Sequence, residues 1–195
     1  MTQIKCSGKI QDPSDNGFAE PESKEQRPGR EYNTVMLTCR KIEAADDKQI
    51  AKIIRANLEK FHLDIPGTVY FDPELDHLSD FYSADLQRRV YYIALGEAGE
   101  IIGGAGAAEF SGFPDCAELQ KLYLTDSEKG KGYGKELVRL VENWARSAGY
   151  RNLYLETHTN LAAAMKMYGK LGFHEIEKPA SVVHGTMDHF FIKEL

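Results

Sequence analysis

Apolar positions along the chain follow two spacings, and each change of spacing marks a new element. TVMLTCRKI (34–42) reads as a first strand. Ile50, Ile53, Ile54, Leu58 and Phe61 then recur every three or four residues, the period of one helix face, with Asn57 on the same stripe and Asp46 and Asp47 at its start. LDIPGTVYFDPELDHLSDFY (63–82) carries turn signals at Pro66-Gly67 and Asp72-Pro73, then a short helical stretch over 73–82. RVYYIALG (89–96), the tight turn EAGE and EIIGGAGAAEF (100–110) read as a strand and its return. Glycines at 103, 104 and 106 weaken that return strand and point to a backbone that another group approaches closely. AELQKLYL (117–124) is the next strand, followed by the loop KGKGYG (129–134). Leu137, Leu140, Val141, Trp144 and Ala148 form the stripe of a helix that Gly149 stops. NLYLET (152–157) alternates as a strand. Thr159 or Asn160 can cap a helix with Leu161, Ala164, Met165, Tyr168 and Leu171 on its stripe and Gly172 at its end. GFHEI (172–176) and TMDHFFIKEL (186–195) supply two last strands. This order predicts a mixed α/β (α+β) sheet with helices on its faces.

Residues 1–33 follow neither spacing. Pro13, Pro21, Pro28, Gly8, Gly17 and Gly29 interrupt a stretch sparse in apolar residues. It reads as a flexible or poorly structured extension ahead of one domain over 34–195, since such a segment buries little. The 195 residues suffice for a real core. Lys and Arg number 24 against 30 Asp and Glu, a net charge of −6, which argues against a nucleic-acid footprint. No apolar run approaches the roughly 18 residues of a membrane span, and the N-terminal stretch lacks the apolar region of a secretory signal. Cys6, Cys39 and Cys116 are odd in number and far apart, and form no metal-ligand pattern. They read as free thiols of a reducing compartment, so a cytoplasmic protein is expected.

Charge and glycine together give the loop at 129–134 its meaning. A strand that enters a glycine-rich loop and then a helix presents unpaired N–H groups and the positive end of the macrodipole to an anion. Lys129, Lys131 and Lys135 add charge at the rim, and a pyrophosphate is the natural ligand. The spacing GxxxxGK[ST] is absent. Gly130-x-Gly132-x-Gly134 also departs from GxGxxG, and the loop comes late in the chain, so neither common nucleotide fingerprint fits.

Four ordered pieces change the weighting. AELQKLYL (117–124), KGKGYGKEL (129–137), LYLETHTN (153–160) and AMKMYGKLGF (164–173) together resemble the core of the GNAT superfamily of acetyl-CoA-dependent N-acetyltransferases. Residues 34–110 agree with that family in element order only. One departure is Lys129, where the family usually carries Gln or Arg in the first position of its Q/R-x-x-G-x-G/A loop; lysine keeps the charge without the planar fork.

The resemblance implies a GNAT fold, with a mixed central sheet of six to seven strands and about four helices. Leu122, Tyr123 and Leu124 would offer backbone groups to the pantetheine arm of acetyl-CoA. Main-chain N–H groups of Gly130, Lys131, Gly132, Tyr133, Gly134 and Lys135 would cradle the pyrophosphate, with Lys129 a further contact at the loop's first position. Asn160 would hydrogen-bond the arm, and Tyr168 would protonate the departing thiolate. The thioester would lie where the strands at 117–124 and 152–157 splay apart. Chemically, an attacking amine must lose a proton and the thiolate must gain one. A backbone N–H near Leu122 suits the oxyanion. Glu118 is the first candidate base, Glu109 the second, with His158 and His174 outside them. Each residue also has a plainer role open to it: Tyr168 as a core aromatic, Asn160 as a helix cap, Glu118 as a solvated strand residue.

The expected activity is N-acetylation of a primary amine, small or on a peptide or protein, by direct attack in a ternary complex without a metal. The other class kept open is a regulatory module that binds acetyl-CoA without turnover. The segment 61–88 would cover the acceptor. Its aromatics Phe61, Tyr70, Phe71, Phe81 and Tyr82, among Asp64, Asp72, Glu74, Asp76, Asp80 and Asp85, suit an ammonium group, although an acidic solvated loop would look the same. The two last strands could also support a homodimer.

Overall fold

The computed structural model describes residues 4–8, 35–182 and 185–195. Eight strands form one mixed sheet: β1 (Ile4–Gly8), β2 (Val35–Lys41), β3 (Val90–Leu95), β4 (Ile101–Glu109), β5 (Cys116–Leu124), β6 (Asn152–Thr157), β7 (His174–Ile176) and β8 (His189–Glu194). Their spatial order is β1-β2-β3-β4-β5-β6-β8-β7. All pairs are antiparallel except β5 with β6. Among the described residues there are four α-helices: α1 (Asp47–Lys60), α2 (Leu78–Ser83), α3 (Tyr133–Ser147) and α4 (Ala162–Lys170). The seven strands expected from residue 34 onward all form. The eighth, β1, comes from the N-terminal segment and pairs with β2. The rest of that segment, 1–3 and 9–33, lies outside the described residues, as do 34, 183 and 184.

The sheet separates two apolar layers because successive strand side chains point to opposite faces. On β3, Tyr91 and Ile93 pack with Ile50, Ile54 and Leu58 of α1 and with Leu78 and Tyr82 of α2. Val90, Tyr92 and Ala94 pack on the other face with Leu137, Val138, Val141 and Ala145 of α3. Burial of each such large aliphatic side chain is worth about 1.5–3 kcal/mol.

β4 is buried from Ile102 to Ala108. Its glycines have the reason that the sequence suggested, with an internal partner. A Cβ on Gly104 or Gly106 would run into the Tyr91 ring and into the carbonyl of Tyr92 or Val90. The close approach is therefore that of a neighbouring strand and its tyrosine.

Cys39 and Cys116 are buried thiols outside any disulfide, and burial pushes the Cys116 thiol up to about 12. The side chain of Cys6 lies outside the described residues. Among the described residues no helix is long and apolar enough to cross a membrane, and no group of three or more His, Cys, Asp or Glu is placed to hold a metal ion.

Candidate active site

The site begins where two parallel strands part. β5 and β6 are in register only from Cys116–Asn152 to Glu118–Tyr154. Beyond that point β5 follows β4 and β6 follows β8. The parting opens a cleft in the middle of the sheet. A bulge in β5 lies beside it. Gln120 pairs with Gly106 and Tyr123 with Gly104, so Lys121 and Leu122 stand together opposite Ala105. Lys121 takes a left-handed backbone (φ 50°), uncommon for a side-chain-bearing residue. The buried Tyr91 hydroxyl donates to Lys121 O at 2.9 Å and holds the bulge. That the Tyr91 hydroxyl sets the distortion of β5 is something no local pattern in RVYYIALG reveals.

Past the end of β5 the chain makes a 3₁₀ turn (Asp126–Glu128) and enters the glycine loop. Gly130 (φ 81°) and Gly132 (φ 93°) occupy the left-handed region, and Gly132 is the N-cap of α3. The first turn of α3 leaves its N–H groups facing outward. Lys135 N–H donates to Gly132 O at 3.0 Å. The lysines of the loop are held by local carboxylates. Lys129 Nζ lies 2.7 Å from Asp126 Oδ1 and 2.5 Å from Asn57 Oδ1, and Lys131 Nζ lies 2.9 Å from Glu128. Lys129 with Lys60 holds the Asp126 carboxyl down at about 2. The geometry thus puts main-chain N–H groups foremost and turns the Lys129 charge toward α1.

Leu122 and Tyr123 are half-buried and Leu124 is buried at the end of β5. Asn160 sits in a short turn (Thr159–Leu161) between β6 and α4. Its Nδ2 donates to Phe61 O at the end of α1, 2.8 Å away, and its N–H donates to His158 Nδ1. Tyr168 is buried on α4 against Phe173 and Phe191, and that burial pushes its phenol well above the ordinary range. It therefore keeps its proton at neutral pH.

A cavity of about 340 Å³ lies beside the bulge. Its walls include Asp72 and Glu74 from the α1–α2 connection, Glu109 at the end of β4, Glu118 and Lys121 of β5, and Glu156 of β6. Lys121 is buried, with Nζ 3.0 Å from Asp72 and 3.4 Å from Glu74. Glu109 is gripped by the Arg89 guanidinium, which lowers its pKa. Glu118 accepts from Gln120 Nε2 at 2.8 Å, and Gln120 Oε1 in turn accepts from the Tyr82 hydroxyl. Two of the six carboxylates singled out in 61–88 thus reach this cavity. Asp76 instead pairs with Arg55, and Asp85 caps the turn before β3 by accepting from the N–H groups of Gln87 and Arg88. Phe81 lies under Arg89. His158 stands near Asp188, and His174 is exposed on β7, the sheet edge. Lys121 was missed. A lysine in KLYL looks like any solvated strand residue, and its partners are 47 and 49 positions away.

The comparisons identify the class of protein that carries this split sheet and glycine loop. The profile of the Acetyltransferase (GNAT) family matches residues 55–173, and the chain belongs to that family. An uncharacterised N-acetyltransferase of Escherichia coli, YjgM, is 35% identical over 140 residues, which span 71% of this chain and 82% of that protein. A GNAT-family acetyltransferase from Staphylococcus aureus superposes with a TM-score of 0.72 at 18% identity, covering 82% of this chain and 99% of that one. A GNAT-superfamily phosphinothricin acetyltransferase from Sinorhizobium meliloti, solved with acetyl-CoA, gives 0.65 at 24% identity over 82% of this chain and 88% of that one.

Proposed function

We propose that this chain moves the acetyl group of acetyl-CoA to a primary amine whose other groups are cationic or neutral. The observation that carries the reading is the cleft between β5 and β6, with main-chain donors at one end and an acid-lined cavity at the other.

In this reading the pantetheine arm lies along Leu122–Leu124, with Asn160 beside it, and the pyrophosphate meets the N–H groups of 130–134, that of Lys135 being bonded to Gly132 O. The amine lone pair attacks the thioester carbon, and the carbonyl oxygen gains charge near the bulged main chain at Leu122. Collapse expels the CoA thiolate, which takes a proton from Tyr168. The amine gives up its proton to Glu118, directly or through water. Arg89 lowers the basicity of Glu109, which supports Glu118 as base.

Charge decides the acceptor class. Five carboxylates named in the cavity wall face one lysine, with Arg89 behind Glu109. Such a wall attracts ammonium groups and repels a carboxylate on the substrate. Cadaverine and lysine test this, because they differ only by the α-carboxylate. Release of CoA should be at least about tenfold faster per unit concentration with cadaverine, a difference of roughly 1.4 kcal/mol. Equal or better turnover of lysine would sink the acceptor assignment. Acetyl-CoA that neither binds nor turns over would sink the donor assignment.

A further inference from the structure

Asn57 is a polar residue on the apolar stripe of α1, and it is buried. Packing alone would favour an aliphatic residue there, and a buried carboxamide left unsatisfied would cost about 1–3 kcal/mol. Its bonds account for the choice. Nδ2 donates to Ile53 O at 2.8 Å and to Leu124 O at 3.0 Å. Oδ1 accepts from Lys129 Nζ at 2.5 Å. Only this orientation of the amide works, since two of its neighbours are carbonyls and the third is an ammonium. One side chain thus joins α1, the last residue of β5 and the first lysine of the glycine loop.

The adjacent residues grip the same place. Lys60 Nζ reaches Asp126 Oδ2 at 2.7 Å, and the Phe61 ring lies under Lys129 Nζ at 5.2 Å. The tip of the loop has no comparable hold. A Cβ on Gly130 would meet nothing within 4 Å, and Lys131 bonds only within the turn, to Glu128. The position of the loop is therefore set at its base.

We propose that Asn57 is the positioning residue of the phosphate loop, fixing through Leu124 O and Lys129 where the main-chain N–H groups ahead of α3 stand. The inference rests on acetyl-CoA being the donor. Its larger effect falls on the part of the ligand that meets the loop, because Leu124 is the one residue along the arm that Asn57 holds. Pantetheine, which has the arm and lacks the pyrophosphate, is the control.

The experiment measures dissociation constants of CoA by calorimetry and of pantetheine by competition, for the full chain and two variants. Asn57→Leu keeps the heavy-atom count and branching of the side chain and removes all three bonds. It should weaken CoA about tenfold, the worth of one hydrogen bond to a charged group, and leave pantetheine within about twofold. Lys129→Met removes the loop's link to Asn57 together with its ion pair to Asp126, and should weaken CoA by about threefold. Lys129 is well exposed, so this variant decides the matter if Asn57→Leu does not fold. Equal loss for both ligands would reduce Asn57 to a packing role and overturn the proposal, as would unchanged CoA binding in both variants. A wild-type chain without CoA affinity would remove the donor reading first, and is distinguishable from either outcome.

Discussion

In the proposed reading, the donor side of the cleft is made of backbone and the acceptor side of side chains. The donor side is nearly continuous in sequence, from the bulge at Lys121 through the loop to Lys135, with Asn160 and Tyr168 added from the next βα unit. Lys129 and Lys131 are matched by neighbouring carboxylates, so in that reading anion binding falls chiefly to N–H groups and the helix dipole. The acceptor side draws Asp72, Glu74, Glu109, Glu118, Lys121 and Glu156 from separate elements, with ion pairs that bridge distant segments. Backbone cannot be exchanged residue by residue, and side chains can. A fold arranged this way keeps its donor and changes its acceptor by substitution alone.

The largest expected effect strikes the backbone side. Gly134→Asp places a carboxylate in the first turn of α3, with its Cβ 3.2 Å from the flexible Met167 Sδ. The helix itself tolerates or welcomes the charge, by about 0.3–1 kcal/mol. A phosphate about 4 Å away would be repelled by about 4 kcal/mol at an effective dielectric constant near 20. CoA affinity should therefore fall by about a thousandfold while the thermal midpoint stays within a few degrees, as calorimetry and thermal unfolding would read. Retained CoA binding would place the pyrophosphate elsewhere and dissolve the contrast between the two sides.

A smaller effect tests the other side. Lys121→Met removes the buried cation between Asp72 and Glu74. Breaking a buried pair costs about 3–5 kcal/mol, and the partial exposure of Glu74 puts this case at or below the lower end. With the α1–α2 connection released, KM for the amine should rise by roughly tenfold at unchanged CoA affinity, a difference of about 1.4 kcal/mol. A parallel loss of CoA affinity would mean that the two sides are one mechanical unit.

The same division explains what the sequence discloses. Strand and helix periods place β2 to β8 and the four helices, because each element's alternation is local. The glycine loop is legible because glycine itself carries the signal, at Gly130, Gly132 and Gly134. The acceptor wall is not, because Lys121 meets Asp72 only after the chain has passed through α2, β3 and β4. Asn57 is an intermediate case. A polar residue on an apolar stripe is visible in the sequence, and its partners Leu124 and Lys129 are not. Conversely, glycines 104 and 106 signalled a close approach correctly and left its identity, the Tyr91 ring, to tertiary structure.

The smallest effect on stability is confined to alkaline pH and draws on both sides at once. Burial raises the phenols of Tyr123 and Tyr168 beside the donor groove and of Tyr82, Tyr91 and Tyr154 around the acceptor wall and the bulge. In the unfolded chain these groups ionise near pH 10. Between that pH and their folded values the native state holds protons that the unfolded state has lost, so stability falls as pH rises. Below about pH 9 both states hold the protons and the phenols contribute no slope. Denaturant midpoints should therefore be level in this respect through neutral pH and decline above about pH 10. Tyr168→Phe should flatten part of that decline, since Phe has nothing to ionise, and should lower kcat at pH 7.5 by about a hundredfold if Tyr168 is the proton donor. The two readouts separate its possible duties: a flatter alkaline limb with unchanged kcat would leave Tyr168 as a buried packing residue. Loss of kcat with an unaltered limb would mean that its phenol ionises as readily in the folded chain as in the unfolded one.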